Sequence, residues 1–111
     1  MDNIITINVQ NQMRANEICK IFKIARSTID SWVRQGILSR KKIKGIVYFY
    51  SPRLTTLANL NIMRANEVCK IFKIAKSTID GWVEQGILTK EKIGNVVYFY
   101  NSEVQELAKV N

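Results

Sequence analysis

An internal repeat constrains this chain more than any other feature of its sequence. Residues 13–50 align without a gap on residues 63–100, and ten of the 38 paired positions differ, which leaves 28 identities. Copies of roughly 50 residues have thin cores, so each is expected to fold as a small unit. We therefore divide the chain into an N-terminal extension, a first copy and a second copy, with bounds at residues 1–12, 13–61 and 62–111.

The first part of each copy carries apolar residues at helical spacing. In the first copy, Asn16 is positioned to cap a helix that ends near Phe22. After a short turn, a second helix is expected over residues 26–35, with Trp32 facing the core and Gly36 ending the helix. The second copy repeats this pattern, with Asn66 as the capping residue. Two short helices joined by a tight turn are therefore predicted in each copy.

The pattern then changes from helical to β-like. Apolar segments flank Lys44-Gly45 in the first copy and Gly94-Asn95 in the second, and both pairs suit a two-residue hairpin turn. Pro52 fits the first turn of a third helix, which has its counterpart after Ser102. Residues 4–9 fit an additional strand. The predicted fold class is mainly α with small β-hairpin wings, one wing in each copy.

The charge of the chain indicates a polyanionic partner. Seventeen Lys and Arg residues against nine Asp and Glu residues give a formal net charge of +8 at pH 7, which surrounds a small protein with a positive field. Nucleic acid and anionic membrane both qualify, but apolar runs such as residues 46–50 are far shorter than the ~20 residues of a membrane-spanning helix. The first residues also lack the features of a signal peptide. We therefore expect a cytoplasmic, nucleoid-associated protein with no membrane partner.

The residue types that usually carry catalysis or metal binding are scarce. The sequence has no His, and its two cysteines, Cys19 and Cys69, stand at matching positions of the two copies rather than in a CxxC pair. Neither a Ser/His/Asp set nor a Gly-rich phosphate loop occurs. We therefore expect no enzyme, no metal, no cofactor and no small-molecule ligand. Each cysteine is expected to be a small buried packing residue.

The two copies read ANEICKIFKIARSTIDSWVRQGIL and ANEVCKIFKIAKSTIDGWVEQGIL, each followed by the hairpin segment. This order resembles the excisionase-like branch of the MerR-type winged helix-turn-helix proteins, over nearly the whole chain from residue 13 onward. The resemblance implies two tandem winged helix-turn-helix domains, each with a recognition helix that enters the major groove of DNA. The turn position that often holds Gly is Lys23 or Lys73 here, which costs about 1 kcal/mol if the backbone is left-handed.

The side of the recognition helix opposite its apolar residues is expected to contact DNA. Arg can pair with guanine edges, while Ser, Thr and backbone N–H groups reach phosphates. The candidates on these helices are Arg26, Ser27, Thr28, Ser31, Arg34, Lys76, Ser77 and Thr78. The wing cations, expected on phosphates or in an adjacent minor groove, are Arg40, Lys41, Lys42, Lys44, Lys90 and Lys92. Further phosphate candidates are Lys20, Lys23, Lys70 and Lys73.

The copies differ in charge more than in shape. Residues 13–61 hold ten Lys or Arg against two acids, whereas residues 63–111 hold seven against six. The swaps on the expected DNA face are Arg34 to Glu84, Lys41 to Glu91 and Lys44 to Gly94. The first copy is therefore expected to bind DNA more tightly, and the second either reads its site weakly or has turned partly to protein contacts.

The leading hypothesis is sequence-specific binding of double-stranded DNA by a recombination directionality factor or a small transcriptional regulator of a phage or mobile element. Two copies in the same chain direction favour direct-repeat half-sites over a palindrome, and a head-to-tail contact would let further chains add. An integrase is a second candidate partner. The alternatives are a plasmid-partition protein on a repeat array and a protein-interaction adaptor. RNA binding is less favoured, because the exposed aromatic residues of single-strand readers are not evident.

Overall fold

The computed structural model of this protein describes residues 12–109, so the strand predicted within residues 4–9 lies outside the described residues. The chain divides into two compact units, a first unit that extends to Asn59 and a second unit that begins at Leu60. In the described part, six helices and two small antiparallel sheets are present. The fold is therefore mixed α/β, with the small hairpins that the sequence predicts, and one sheet contains a third strand that the sequence pattern did not reveal.

The first unit consists of three helices and one hairpin. Its elements are α1 (Ala15–Phe22), α2 (Arg26–Arg34), β1 (Ser39–Ile43), β2 (Ile46–Tyr50) and α3 (Pro52–Leu60). The buried apolar residues of these elements are Ile18, Phe22, Ile29, Trp32, Phe49, Leu54 and Leu57. The rings of Phe22 and Trp32 meet edge to face with their centroids 6.0 Å apart, an arrangement that aromatic pairs favour. Trp32 is thus a core residue, as its helical spacing predicts.

The second unit has the same elements and an additional strand. They are β3 (Ile62–Arg64), α4 (Ala65–Phe72), α5 (Lys76–Glu84), β4 (Lys90–Ile93), β5 (Val96–Tyr100) and α6 (Asn101–Ala108). The buried core residues are Val68, Ile79, Leu88, Phe99 and Val104. Trp82 packs against this core and meets the ring of Phe72 edge to face at 5.3 Å. Cys19 and Cys69 are free thiols that are half-buried in their units rather than fully buried.

The helices α1 and α4 begin two residues earlier than predicted, since the residues before them are Arg14 and Arg64, and the prediction that Asn16 and Asn66 cap them was wrong. In the first unit the chain enters α1 at Arg14, whose backbone N–H donates to the Glu17 carboxylate at 2.8 Å. The equivalent bond in the second unit is 2.9 Å long. An acidic side chain in the first turn thus binds the residue before the helix, and both Asn side chains lie inside the helices, exposed.

The connection from α1 to α2 turns through a left-handed residue, and so does the connection from α4 to α5. Lys23 has φ 54 and Lys73 has φ 56. Both residues are therefore left-handed and carry the backbone strain expected for a residue other than glycine at this turn. At the end of α2 the left-handed position is occupied by a glycine, Gly36, which has φ 81 and adopts this conformation without strain. Its N–H donates to the Val33 carbonyl at 3.1 Å, and the N–H of Ile37 donates to the Trp32 carbonyl at 2.8 Å. These two bonds form a Schellman motif, which ends the helix.

Each sheet is built on the hairpin that the sequence predicts. In the first unit β1 and β2 pair with Ile43 opposite Ile46 across the two-residue turn. In the second unit β5 is the central strand, flanked by β4 and β3. The first unit has a single bridge at the position of β3, where Met13 and Phe49 exchange two N–H···O bonds of 2.8 Å. In both units, therefore, the second strand of the hairpin pairs with residues just before the first helix.

Candidate nucleic-acid interface

The helix α2 shows a polar face opposite its core residues. Ile29 and Trp32 are at most 1% exposed, while Arg26, Ser27 and Arg34 are exposed. In a helix, residues three and four positions apart share a face, so this separation follows directly from the spacing of the apolar residues. The corresponding residues of α5, Lys76, Ser77 and Glu84, are also exposed, and so is Thr78.

Two of the predicted contact residues on α2 are less accessible than the others. Thr28 and Ser31 are half-buried, and the Ser31 hydroxyl accepts a hydrogen bond of 2.8 Å from the Gln35 side chain. Ser31 therefore stabilises the last turn of α2 while its hydroxyl hydrogen remains a donor. The second unit has Gly81 at this position, and glycine has no side chain that could accept such a bond.

The cations of the first hairpin lie on both faces of the sheet. Arg40 is paired with Phe49 and Lys42 with Val47, whereas Lys41 is paired with Tyr48. Since successive side chains of a strand point to opposite faces, Arg40 and Lys42 share one face and Lys41 lies on the other. All three are exposed, as is Lys44 in the turn, which has φ 48. The three consecutive strand cations are therefore divided between the two faces of the sheet, and Lys44 lies in the turn.

The second hairpin carries its cations on one face only. Lys90 and Lys92 are exposed and alternate with Glu91, which is half-buried and paired with Tyr98 in register. The Glu91 carboxylate accepts a hydrogen bond of 2.8 Å from the Tyr100 hydroxyl. Glu91 is therefore a structural residue of this sheet as well as a reversal of the charge of Lys41.

The remaining phosphate candidates are surface residues of the first helix and turn of each unit. They are Lys20, Lys23, Lys70 and Lys73, and all four are exposed. Two of them, Lys23 and Lys73, are the left-handed turn residues, so the same residue contributes charge to the surface and strain to the backbone.

An open groove brings α2 and the first hairpin together. It has a volume of about 360 Å³ and is lined by Arg14, Ala15, Asn16, Arg26, Gly45, Ile46 and Val47. The second unit has a groove of about 410 Å³ at the same place, lined by Arg64, Ala65, Asn66, Lys76, Asn95, Val96 and Val97. Each groove thus joins the start of the first helix, the first residue of the second helix and the hairpin turn. Sequence reasoning missed the two arginines that precede the helices, although the repeated run Met-Arg-Ala-Asn-Glu marks them in both copies.

Tyr98 is a buried titratable residue of the second sheet. Burial raises the pKa of Tyr98 well above its ordinary value, and the nearby Arg64 guanidinium partly opposes this rise. The tyrosine is therefore a neutral residue of the sheet at any physiological pH, and the side chain is only 1% exposed.

The described residues contain no group of three or more His, Cys, Asp or Glu side chains that could hold a metal ion. Between residues 12 and 109, none of the helices has both the length and the apolar character needed to cross a membrane. Comparison of the chain with models of protein families, with curated proteins and with solved structures finds no match.

Proposed function

We propose that this chain binds double-stranded DNA in a sequence-specific manner through two tandem winged helix-turn-helix units. The observation that carries the proposal is the groove present in each unit, where the first residue of α2 or α5 meets the hairpin turn. Arg26 or Lys76 stands at this junction, and further exposed cations lie on both hairpins and, in the first unit, at Arg34 of α2. A helix and a basic hairpin that converge on one side of a small unit suit a duplex, whose major groove admits a helix while phosphates border it.

The proposal gives the exposed residues different tasks. Arg26 and Lys76 lie at the start of their helices and would reach base edges, where arginine pairs with guanine. The hairpin cations, such as Lys42 and Lys92, would contact phosphates and add affinity without sequence preference. Trp32 and its counterpart Trp82 pack in or against the cores and would not stack on bases.

The first experiment is binding of the full chain to a random-sequence duplex over a salt series, followed by fluorescence anisotropy. We expect micromolar affinity at low salt and a linear fall of log K with log salt, since each neutralised phosphate contributes a slope of about 0.9. If micromolar protein at low salt binds no duplex, the DNA proposal fails and the adaptor function replaces it.

The biological role that fits best is a recombination directionality factor or a small transcriptional regulator of a phage or mobile element. Either role requires DNA binding but no catalytic residue. Footprinting on the native neighbourhood distinguishes them: sites beside integrase arms indicate excision, a site over a promoter indicates regulation, and a long repeat array indicates plasmid partition.

A second candidate, protein contact through the second unit, is favoured by one observation. The second unit has an open groove of about 260 Å³ lined by Ile87, Glu103, Glu106 and Leu107, apolar side chains beside acidic ones. The corresponding positions 53 and 56 of the first unit are Arg53 and Thr56, so the two surfaces differ in charge. Reversal of Glu106 by Glu106→Lys should leave DNA binding within about twofold and weaken binding of an integrase that docks here; an unchanged integrase affinity would count against this role.

A further inference from the structure

The groove in each unit holds cations on two of its sides. In the first unit these are Arg14, before α1, and Arg26, at the start of α2. In the second unit they are Arg64 and Lys76. The charged pair is thus kept in both units, although other exposed cations of the first unit are replaced by acids in the second, as at Glu84 and Glu91.

The arginine before each first helix is held in a defined position. The Arg14 guanidinium lies 5.8 Å from the centroid of the Tyr48 ring, and Arg64 lies 6.0 Å from that of Tyr98. Stacking on an aromatic face leaves the N–H groups at the edge of a guanidinium able to bind an anion. The backbone of Arg14 is also fixed, by its hydrogen bond to Glu17. The arginine is therefore ordered before any ligand arrives, which lowers the entropy that binding would cost.

Backbone donors add to the two side chains. Ala15 and Asn16 line the groove and are the first two residues of α1, and the first N–H groups of a helix have no carbonyl one turn earlier to bind. Such groups suit an anion. The groove of about 360 Å³ is open to solvent, so a phosphate that belongs to a continuous strand can enter it.

We propose that each groove binds one phosphate of the DNA backbone, held by Arg14 and the first N–H groups of α1 in the first unit and by Arg64 and those of α4 in the second, next to Arg26 or Lys76, whose side chains extend past it to the base edges. This inference rests on the proposed function and adds to it a site that fixes where the second helix enters the major groove. Phosphate contacts set the register of a protein on a duplex. Because the cation that starts α2 lines the same groove, the phosphate bound there sets the position of that helix directly.

The two grooves should differ in strength. The partner of Tyr48 across the hairpin is Lys41, whereas the partner of Tyr98 is Glu91. A cation beside the stacked arginine strengthens an anion site, and a carboxylate weakens it. Loss of Arg14 should therefore reduce DNA affinity more than loss of Arg64.

The test compares Arg14→Gln with Arg53→Gln, which removes the same charge from α3, outside the groove. On a random duplex, Arg14→Gln should reduce the salt slope by about 0.9, the value for one phosphate, and Arg53→Gln should change it by less than half of that. On a selected site, single phosphates are then replaced in turn by neutral methylphosphonates. One position should cost the wild-type chain about tenfold in affinity and cost Arg14→Gln less than twofold, the difference expected for a charged hydrogen-bonded contact.

The outcomes separate this inference from the proposed function. If the wild-type chain binds no duplex, the proposed function fails. If it binds but Arg14→Gln and Arg53→Gln give the same slope, or no methylphosphonate position couples to Arg14, the groove assignment is wrong while DNA binding stands. Should Arg14→Gln unfold, Arg14→Lys keeps the charge, and it must retain the slope and the coupled position. Saturation of the Ala15 and Asn16 amide NMR shifts by low millimolar inorganic phosphate alone would instead assign the groove to free anions and overturn the backbone site.

Discussion

Replacement of Lys23 by glycine is expected to stabilise the first unit. Lys23 has φ 54 and ψ 56, a left-handed conformation that costs an L-residue about 1–2 kcal/mol and glycine almost nothing. Glycine loses more conformational freedom on folding, which offsets about 0.5–1 kcal/mol of this gain. The net increase in the free energy of unfolding should be about 0.5–1 kcal/mol, or about 2–8 °C in Tm for a domain of this size.

The matched control is Lys20→Gly, which removes the same charge from the interior of α1. Glycine inside a helix costs about 1 kcal/mol relative to good helix formers, so this variant should be less stable than the wild type. Lys23→Gln, which removes the charge but keeps a side chain, should leave stability within about 0.5 kcal/mol. Thermal and urea unfolding followed by circular dichroism measure all three. A Lys23→Gly variant destabilised as much as Lys20→Gly would refute the left-handed strain at this turn.

The remaining predictions concern DNA binding and pH. Arg26→Ala should cost about 1–3 kcal/mol of binding free energy on the specific site and relax the preference at one base position. Lys42→Ala should weaken binding to all duplexes alike and reduce the salt slope by about one contact. Equal loss of sequence preference in both variants, measured by competition binding, would contradict this division. Glu84→Arg should tighten binding to random duplex and steepen its salt dependence, and unchanged binding would show that α5 does not approach DNA. Selection of bound sequences from a random pool should return two related half-sites in direct repeat about 10 base pairs apart, and an inverted repeat would refute tandem reading. Since burial raises the pKa of Tyr98, the free energy of unfolding of the second unit should fall as the pH rises above the ordinary tyrosine value of about 10; the fall, measured by urea titration, should disappear in Tyr98→Phe.

The structure changes how the charge reversal in the second unit should be tested. The sequence suggests reversing Glu84 and Glu91 together, because both replace cations of the first unit. Glu84 is exposed, but Glu91 is half-buried and accepts the Tyr100 hydroxyl hydrogen bond. Loss of a partner from such a bond costs about 1–3 kcal/mol, so Glu91→Lys would mix a change in stability with a change in affinity. Glu84→Arg alone keeps the two effects apart.

Features that depend on neighbouring residues were predictable from the sequence. The spacing of Ile29 and Trp32 places α2, a two-residue turn at Lys44 sets the hairpin register, and Gly36 ends α2 through a left-handed residue. Each of these depends on a period of 3.6 or 2, or on the steric freedom of one residue type, and so it is visible within a few positions. The helical period of 3.6 also separates the exposed side of α2 from the side that faces the core.

Features that depend on residues distant in the sequence were decided by the tertiary structure alone. Strand β3 has three residues, too few to show alternation, and it forms because Met63 meets Phe99 across the sheet. Arg14 and Arg26 likewise line one groove although they belong to different elements. Such contacts leave no periodic trace in the chain, because they arise only when packing of the core brings separate segments to the same place.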